Sequence, residues 1–535
     1  MKSFPQRTYE DVREALLARR EIALLDVREE DPHAQSHPLF AANFPLAKIE
    51  LDAATKLPRR NVPIVLLDAG EGFARRAAER LDALGYTNVA LFAGGLDGWV
   101  RAGGEVFRDV NVPSKAFGEL VEAQRHTPSL PADEVEALIR RGEDVVVLDA
   151  RRFDEYQTMN IPGSVSVPGA ELVLRARALA PDPATRVIVN CAGRTRSIIG
   201  TQSLVNAGLP NPVAALRNGT IGWTLAGQTL EHGSARRFDP QAGRDGTALA
   251  QSAGAARALA DRAGVGRATL AATTAWAADA TRTTYRFDVR TPDEYERAHL
   301  PGFQGAPGGQ LVQETEMFAP VRGARVVLFD DDGVRANMTA SWLAQMNVEV
   351  HVIDDASAAD LSAAGPWKAE RPAPPQSGTI APQALAALLA DPANGVVVLD
   401  FTSSANHVKA HIPGAYWTLR SRLAPGYDDL RALPDAQRYV VACGTSTLAA
   451  YAAPEVATLT GKPVQVLEGG TAAWVAAGLP VEAGADRLVS PRIDRYRRPY
   501  EGTDSAREAM NAYLEWEYGL VAQLGRDGTH GFFVI

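Results

Sequence analysis

The chain is poor in cysteine, with two thiols, Cys191 and Cys443, among 535 residues. Secreted disulfide scaffolds are dense in cysteine, so that class is excluded. No His/Cys cluster has metal-ligand spacing, and neither a metal centre nor a cofactor is expected. No apolar run is long enough to span a bilayer, and Met1 to Glu10 is polar, without the apolar core of a signal peptide. Two thiols and no export signal read as a cytoplasmic protein without a membrane partner. Positive charge is not in excess either. The formal net charge is -9, which repels phosphate backbones and argues against nucleic acid as a partner. What is present is an ordinary globular composition rich in Ala, Leu and Val. At roughly 100–200 residues per domain, the length predicts three to five domains.

The chain repeats itself four times. Leu24-Leu25-Asp26-Val27-Arg28 returns as Val147-Leu148-Asp149-Ala150-Arg151, as Arg286-Phe287-Asp288-Val289-Arg290 and, more weakly, as Val398-Leu399-Asp400-Phe401-Thr402. Each reads as a buried strand whose loop follows its carboxyl end. Eleven residues after each Asp stands His37, Asn160, His299 or His411, and the last three lead into a Pro-Gly turn. A second strand follows in each unit: Ile64–Leu67, Val187–Val189, Val326–Phe329 and Tyr439–Ala442. Just past it stands Asp68, Cys191, Asp330 or Cys443, at a separation from the earlier Asp of 42, 42, 42 and 43 residues. Helix-like segments such as Ala74–Leu84 and Ser197–Ala207 come next. A third strand then runs into Gly94-Gly95-Leu96-Asp97-Gly98-Trp99, Asn218-Gly219-Thr220-Ile221-Gly222-Trp223 or Gly469-Gly470-Thr471-Ala472-Ala473-Trp474. The third unit lacks that ending and has Asp354-Asp355 near the expected place. Alternating strands and helices predict an α/β architecture with mostly parallel sheets. The stretches near 111–128, 233–265, 368–378 and 483–500 read as linkers. From Asp504 onward a helix-like run carries Tyr513, Trp516 and Tyr518, suited to packing on a neighbouring domain or subunit.

The Asp-x-Arg strand end, the His-Ile-Pro-Gly turn, the strand–Cys loop–helix and the Gly-Gly-x-x-x-Trp ending resemble the rhodanese-homology domains. That resemblance implies four such domains, each a mostly parallel five-stranded sheet flanked by helices, and a helical C-terminal segment. The expected bounds are 1–110, inactive with Asp68 at the cysteine position; 125–235, catalytic through Cys191; 262–368, inactive with Asp330; 376–485, with Cys443 as a second catalytic candidate; and an extension over 486–535. Tandem members of the family pair a domain lacking the cysteine with one that has it, so the whole resembles a duplicated tandem rhodanese.

The loop Cys191-Ala192-Gly193-Arg194-Thr195-Arg196-Ser197 carries the chemistry. A strand delivers Cys191 to the carboxyl edge of its sheet, where open α/β sheets bind ligands. Unpaired N–H groups of the loop and first helical turn, with the positive end of the helix dipole, favour a thiolate. Arg194 and Arg196 add fixed charge, and a thiol that starts near ~8.5 is expected to fall towards neutrality. A small anionic sulfur donor such as thiosulfate would be bound by the guanidiniums. Cys191 would take its outer sulfur as a persulfide and pass it to cyanide or a thiol. Ala192, Gly193, Thr195 and Ser197 complete the expected substrate-binding collar. Cys443-Gly444-Thr445-Ser446-Thr447-Leu448 keeps the position but lacks arginine; it loosely resembles the loop of the mercaptopyruvate branch, which finds its cationic groups elsewhere.

Several residues have structural readings. Asp26, Asp149 and Asp288 orient loops, Arg151 pairs with Asp154 or Glu155, and His299 and His411 are turn or core residues. Trp99, Trp223 and Trp474 pack in cores. A non-catalytic or protein-to-protein sulfur-relay scaffold is the alternative function, and a homo-oligomer is compatible with the sequence. A phosphatase or arsenate reductase is disfavoured, because Cys191 to Arg196 is Cys-x4-Arg, one residue tighter than a phosphate cradle.

Overall fold

The computed structural model describes residues 2–244, 246–502 and 505–535; Asp504, at the expected start of the C-terminal run, lies outside them. Four parallel sheets stand in chain order, each wound so that its first strand lies at one edge beside its fifth, followed by the fourth, second and third. In the second unit the strands Ser129–Leu130, Val213–Leu216, Arg186–Asn190, Val145–Asp149 and Val165–Ser166 follow that order. These inner strands are apolar, largely β-branched runs with helices on both faces, so they are buried over most of their length, as suits a parallel sheet. The first sheet gains a sixth strand. Val321–Arg322 of unit three lies antiparallel to the edge of unit one, Val321 opposite Ala23 and Arg322 opposite Ile22.

The units pair through charged seams. Arg335 of unit three reaches Glu171 of unit two at 2.9 Å. Arg420 of unit four meets Glu50 of unit one at 2.6 Å, and Arg80 of unit one meets Glu455 of unit four at 2.8 Å. Each cysteine-bearing unit therefore leans on an Asp-bearing one.

Two segments read as linkers are helices. Gly246–Arg262 is rich in alanine, the best helix former, and its small residues let it pack against Arg335–Gln345. Val112–Arg125 is buried over most of its length, Lys115 and Glu119 included, where units one, two and three meet. The stretches 368–377 and 483–500 contain no helix.

The Asp-x-Arg repeat is a local clamp. Arg151 Nε donates to Asp149 Oδ1 at 2.9 Å, its second nitrogen donates to Asp149 Oδ2 at 2.7 Å, and the same nitrogen donates to the carbonyl of Met159. Arg28 and Arg290 repeat this on Asp26 and Asp288. The expected pairing of Arg151 with Asp154 or Glu155 is therefore corrected: the carboxylate two residues back is already buried and facing it. In unit four, where Thr402 replaces the arginine, His407 Nδ1 bonds Asp400 at 2.8 Å. The indole N–H of Trp99, Trp223 and Trp474 each donates to the carbonyl six residues on, with the rings buried. His299 and His411 are buried, each with Nδ1 on the carbonyl four residues back.

Candidate active site

The loop after each fourth strand is shaped by its own carbonyls. Thr220 N–H donates to Cys191 O at 2.9 Å and Ile221 N–H to Ala192 O at 3.0 Å. Because a peptide's N–H points opposite to its C=O, this turns the amides of 192 and 193 to the other, concave side. The Gly/Trp ending exists to allow this approach. Gly219 has φ +54, and a Cβ there would stand 2.3 Å from Cys191 O. Gly95 and Gly470 hold the same place beneath Asp68 O and Cys443 O, at 2.6 and 2.2 Å.

What the concave side binds is visible in the units without cysteine. In unit one, Asp68 Oδ2 accepts from Ala74 N–H at 2.9 Å and Oδ1 from Gly70 N–H at 3.1 Å. In unit three, Asp330 Oδ2 accepts from Ala336 N–H at 2.8 Å and Oδ1 from Gly333 N–H at 3.1 Å; burial and neighbouring Asp332 push that carboxyl up. The amide six residues on thus serves the side chain at this position in both. In unit two that amide belongs to Ser197 and favours the charged form of Cys191, and the Ser197 hydroxyl lies 3.4 Å from the sulfur. Ser197 Oγ is itself fixed by donating to Arg194 O at 2.8 Å.

The two arginines have different surroundings. Arg196 acts electrostatically on Cys191 while bidentate on Glu155, at 3.1 and 2.7 Å. Burial alone would raise Glu155, but Arg196, Arg152 and Arg151 bring it down to about 2. Arg194 instead turns to the helix Val112–Arg125, meeting Glu119 at 2.7 and 2.8 Å and also Glu122. Its remaining nitrogen donates to Asn218 at 3.1 Å, and Tyr518 stacks on it at 4.3 Å. Gly118 on the same helix has room for no Cβ, since Thr195 Cγ2 would lie 2.9 Å away. Helix and loop are thus locked together.

The expected fall of the Cys191 thiol towards neutrality is corrected. Burial pushes it up, and Arg196 and the two Ser197 hydrogen bonds only partly oppose this. The C-terminal run expected to pack on a neighbouring domain does so here, as the cover of the loop. The helix Arg507–Tyr518 lies across the loop, so that a Cβ on Gly193 would meet Tyr513 Cε1 at 3.2 Å and Glu517 Oε2 at 3.5 Å. Ile221 packs with Met510, Tyr513 and Leu514 beneath it. The cover is anchored by Lys115, whose ammonium pairs with Asp109 at 2.6 Å and faces Tyr500, Tyr513 and Trp516 at 5.5, 5.2 and 5.5 Å. Glu517, Tyr500 and Lys115 were missed from sequence. The aromatics of the C-terminal run are a signal for the cover, and Lys115 has none of its own.

Cys443 sits differently. It lines a cleft of about 250 Å3 between units four and one, with Thr445, Thr447, Lys48 of unit one, Arg371 and Arg420. Ser446 takes φ +72 where Arg194 has −120.

The rhodanese-like domain family matches residues 8–102, 131–226, 273–359 and 381–477. The chain belongs to the rhodanese family. A crystal structure of thiosulfate sulfurtransferase from Pseudomonas aeruginosa is 65% identical, with TM-score 0.97, covering 99% of this chain and 100% of that one. The HTH-type transcriptional regulator Rv0324 of Mycobacterium tuberculosis is 30% identical over 99 residues, 18% of this chain. The chain spans 43% of that curated relative's length. Among the described residues no helix is long and apolar enough to cross a membrane.

Proposed function

We propose that this rhodanese is a sulfurtransferase that loads sulfur on Cys191 from a small anionic donor of the thiosulfate type. The observation that carries the reading is the exchange of side chains at one position. The amide that holds the Asp68 carboxylate in unit one meets a sulfur in unit two, which makes the collar a binding place for an anion fixed to residue 191. A persulfide is such an anion. The Cys191 thiolate attacks the outer sulfur of thiosulfate; an S–S bond forms, the donor's own S–S bond breaks, and sulfite leaves with the electron pair. The acceptor, cyanide or a thiol, then attacks the outer sulfur and Cys191 leaves as thiolate. Arg196 supplies the donor-binding guanidinium, whereas Arg194 anchors the loop through Glu119. Cys443 is a second candidate sulfur carrier, with Lys48 and Arg371 in its cleft in place of loop arginines. The tail over Cys191 favours a small donor there, while the open cleft at Cys443 leaves room for relay to a larger acceptor.

The test is incubation with thiosulfate followed by mass analysis of the two cysteine peptides. A gain of one sulfur on the Cys191 peptide, absent in Cys191→Ser together with cyanide turnover, is expected. Turnover that survives Cys191→Ser unchanged sinks the assignment.

A further inference from the structure

Glu517 is fully buried above the Cys191 loop, and one of its oxygens has no partner among the described residues. Oε1 accepts from Tyr513 O–H at 2.8 Å; Oε2 has no hydrogen bond among the described residues, and faces Gly193. Buried carboxylates normally pair with a cation. Lys115 and Arg194 are the nearby cations that act on it among the described residues, and both are engaged. Lys115 is taken by Asp109 and three rings, and Arg194 by Glu119 and Glu122. The loop thus has an unpaired acid over it, contributed by a helix outside the unit that carries the cysteine.

We propose that Glu517 is a specificity-determining residue of the Cys191 site, selecting by its own charge which sulfur donors and other thiol-reactive anions reach the loop. The proposal rests on Cys191 being the reactive sulfur. The groups facing Glu517 bear on its charge, and Cys191 beneath it lies within its field. Glu119 from the helix Val112–Arg125 opposes ionisation, Lys115 and Arg194 favour it, and Tyr513 on its own helix hydrogen-bonds it. Burial outweighs the rest and carries the carboxyl up to about 8. Glu517 is therefore a neutral hydrogen-bond donor at neutral pH, with Oε2 free to meet an anion over the loop. Above that range it is a carboxylate and repels one. Glu517→Gln keeps the neutral shape and hydrogen bonding and removes the switch.

The experiment compares two alkylating reagents on Cys191, iodoacetate as the anion and iodoacetamide as its neutral counterpart, read on the Cys191 peptide from about pH 7 to about pH 9.5. The neutral reagent reports thiol ionisation and accessibility; the ratio of the two rates isolates charge. In the native protein the iodoacetate/iodoacetamide ratio should fall on the order of tenfold across that range, the size of one uncompensated charge in a partly screened site. In Glu517→Gln it should stay level. A level ratio in the native protein overturns the proposal without reference to any variant, as does an equal fall in both proteins or a Cys191 that neither reagent reaches. Thiosulfate loading of the same samples separates this from the sulfurtransferase reading. A thiol that alkylates with the expected ratio but never gains sulfur refutes the donor and leaves Glu517 in its role.

Discussion

The loops of Cys191 and Cys443 are built alike and housed differently. Both follow a fourth strand, both turn their carbonyls to a helix that starts on a left-handed glycine, and both thiols are buried. Around Cys191 the chain has closed a lid: one helix pins Arg194 from the side and another crosses the loop from above. Around Cys443 no equivalent cover stands among the described residues, and the thiol faces a cleft shared with unit one. The difference teaches that duplication conserves the collar, while the charge and access of each sulfur are set by segments outside its own unit. Loop sequence alone ranks Cys191 as the better thiolate because of its arginines. The structure weakens that ranking, since one arginine is spent on carboxylates and burial raises the thiol.

The sharpest way to break this contrast is to release the lid. Lys115→Met keeps most of the apolar stem in the aromatic cage but strands Asp109, which also receives the Val110 amide. Breaking a buried pair by removing one partner costs about 3–5 kcal/mol. The expected result is a lowered denaturation midpoint and faster iodoacetamide labelling of Cys191, with Cys443 labelled at its old rate. Equal acceleration at both thiols would mean that the lid is not a local device.

A smaller effect separates the two arginines. Arg196→Ala should lower kcat/KM for thiosulfate by about 1.5–3 kcal/mol, the worth of a hydrogen bond to a charged group, chiefly through KM. It also leaves Glu155 with Arg152 as its one ion-pair partner among the described residues, so the acid that Arg196 helps hold near 2 should titrate higher. Stability contributed by that depressed carboxyl is present above its unfolded value and is lost as pH falls through the folded one. The variant should therefore lose part of the acid-sensitive stability of the native protein between about pH 5 and about pH 2, measured by denaturation at stepped pH. Unchanged kinetics would remove Arg196 from donor binding.

Much of this was legible because the repeat is carried by residues with one physical job each. The β-branched strands, the Asp that clamps its arginine, the glycine that must sit under a carbonyl and the tryptophan that caps the unit recur at fixed offsets, and their spacing identified the four sheets and both cysteine loops. What stayed hidden depends on assembly. The helix Val112–Arg125 looks like a linker because its Lys115 and Glu119 should be exposed; they are buried only because three units converge on them. The extra strand Val321–Arg322 pairs across units and leaves no local trace. Glu517 is one acid in a polar tail, and nothing near it in sequence points to a loop more than 300 residues earlier.

The smallest expected effect tests the open side of the comparison. The Cys443 loop has no arginine, and Lys48, an exposed residue of unit one, reaches into its cleft. An exposed cation at a rim attracts anions weakly, by roughly 0.5 kcal/mol, and salt screens it. Lys48→Ala should therefore slow iodoacetate labelling of Cys443 about twofold at low ionic strength, with the difference gone at about 0.5 M salt and iodoacetamide labelling unaltered. Cys191 should not respond, because its charges come from Arg196 and the lid. A response at Cys191 of the same size would mean that the lysine acts through the overall field of the protein and not through the cleft it shares with unit four.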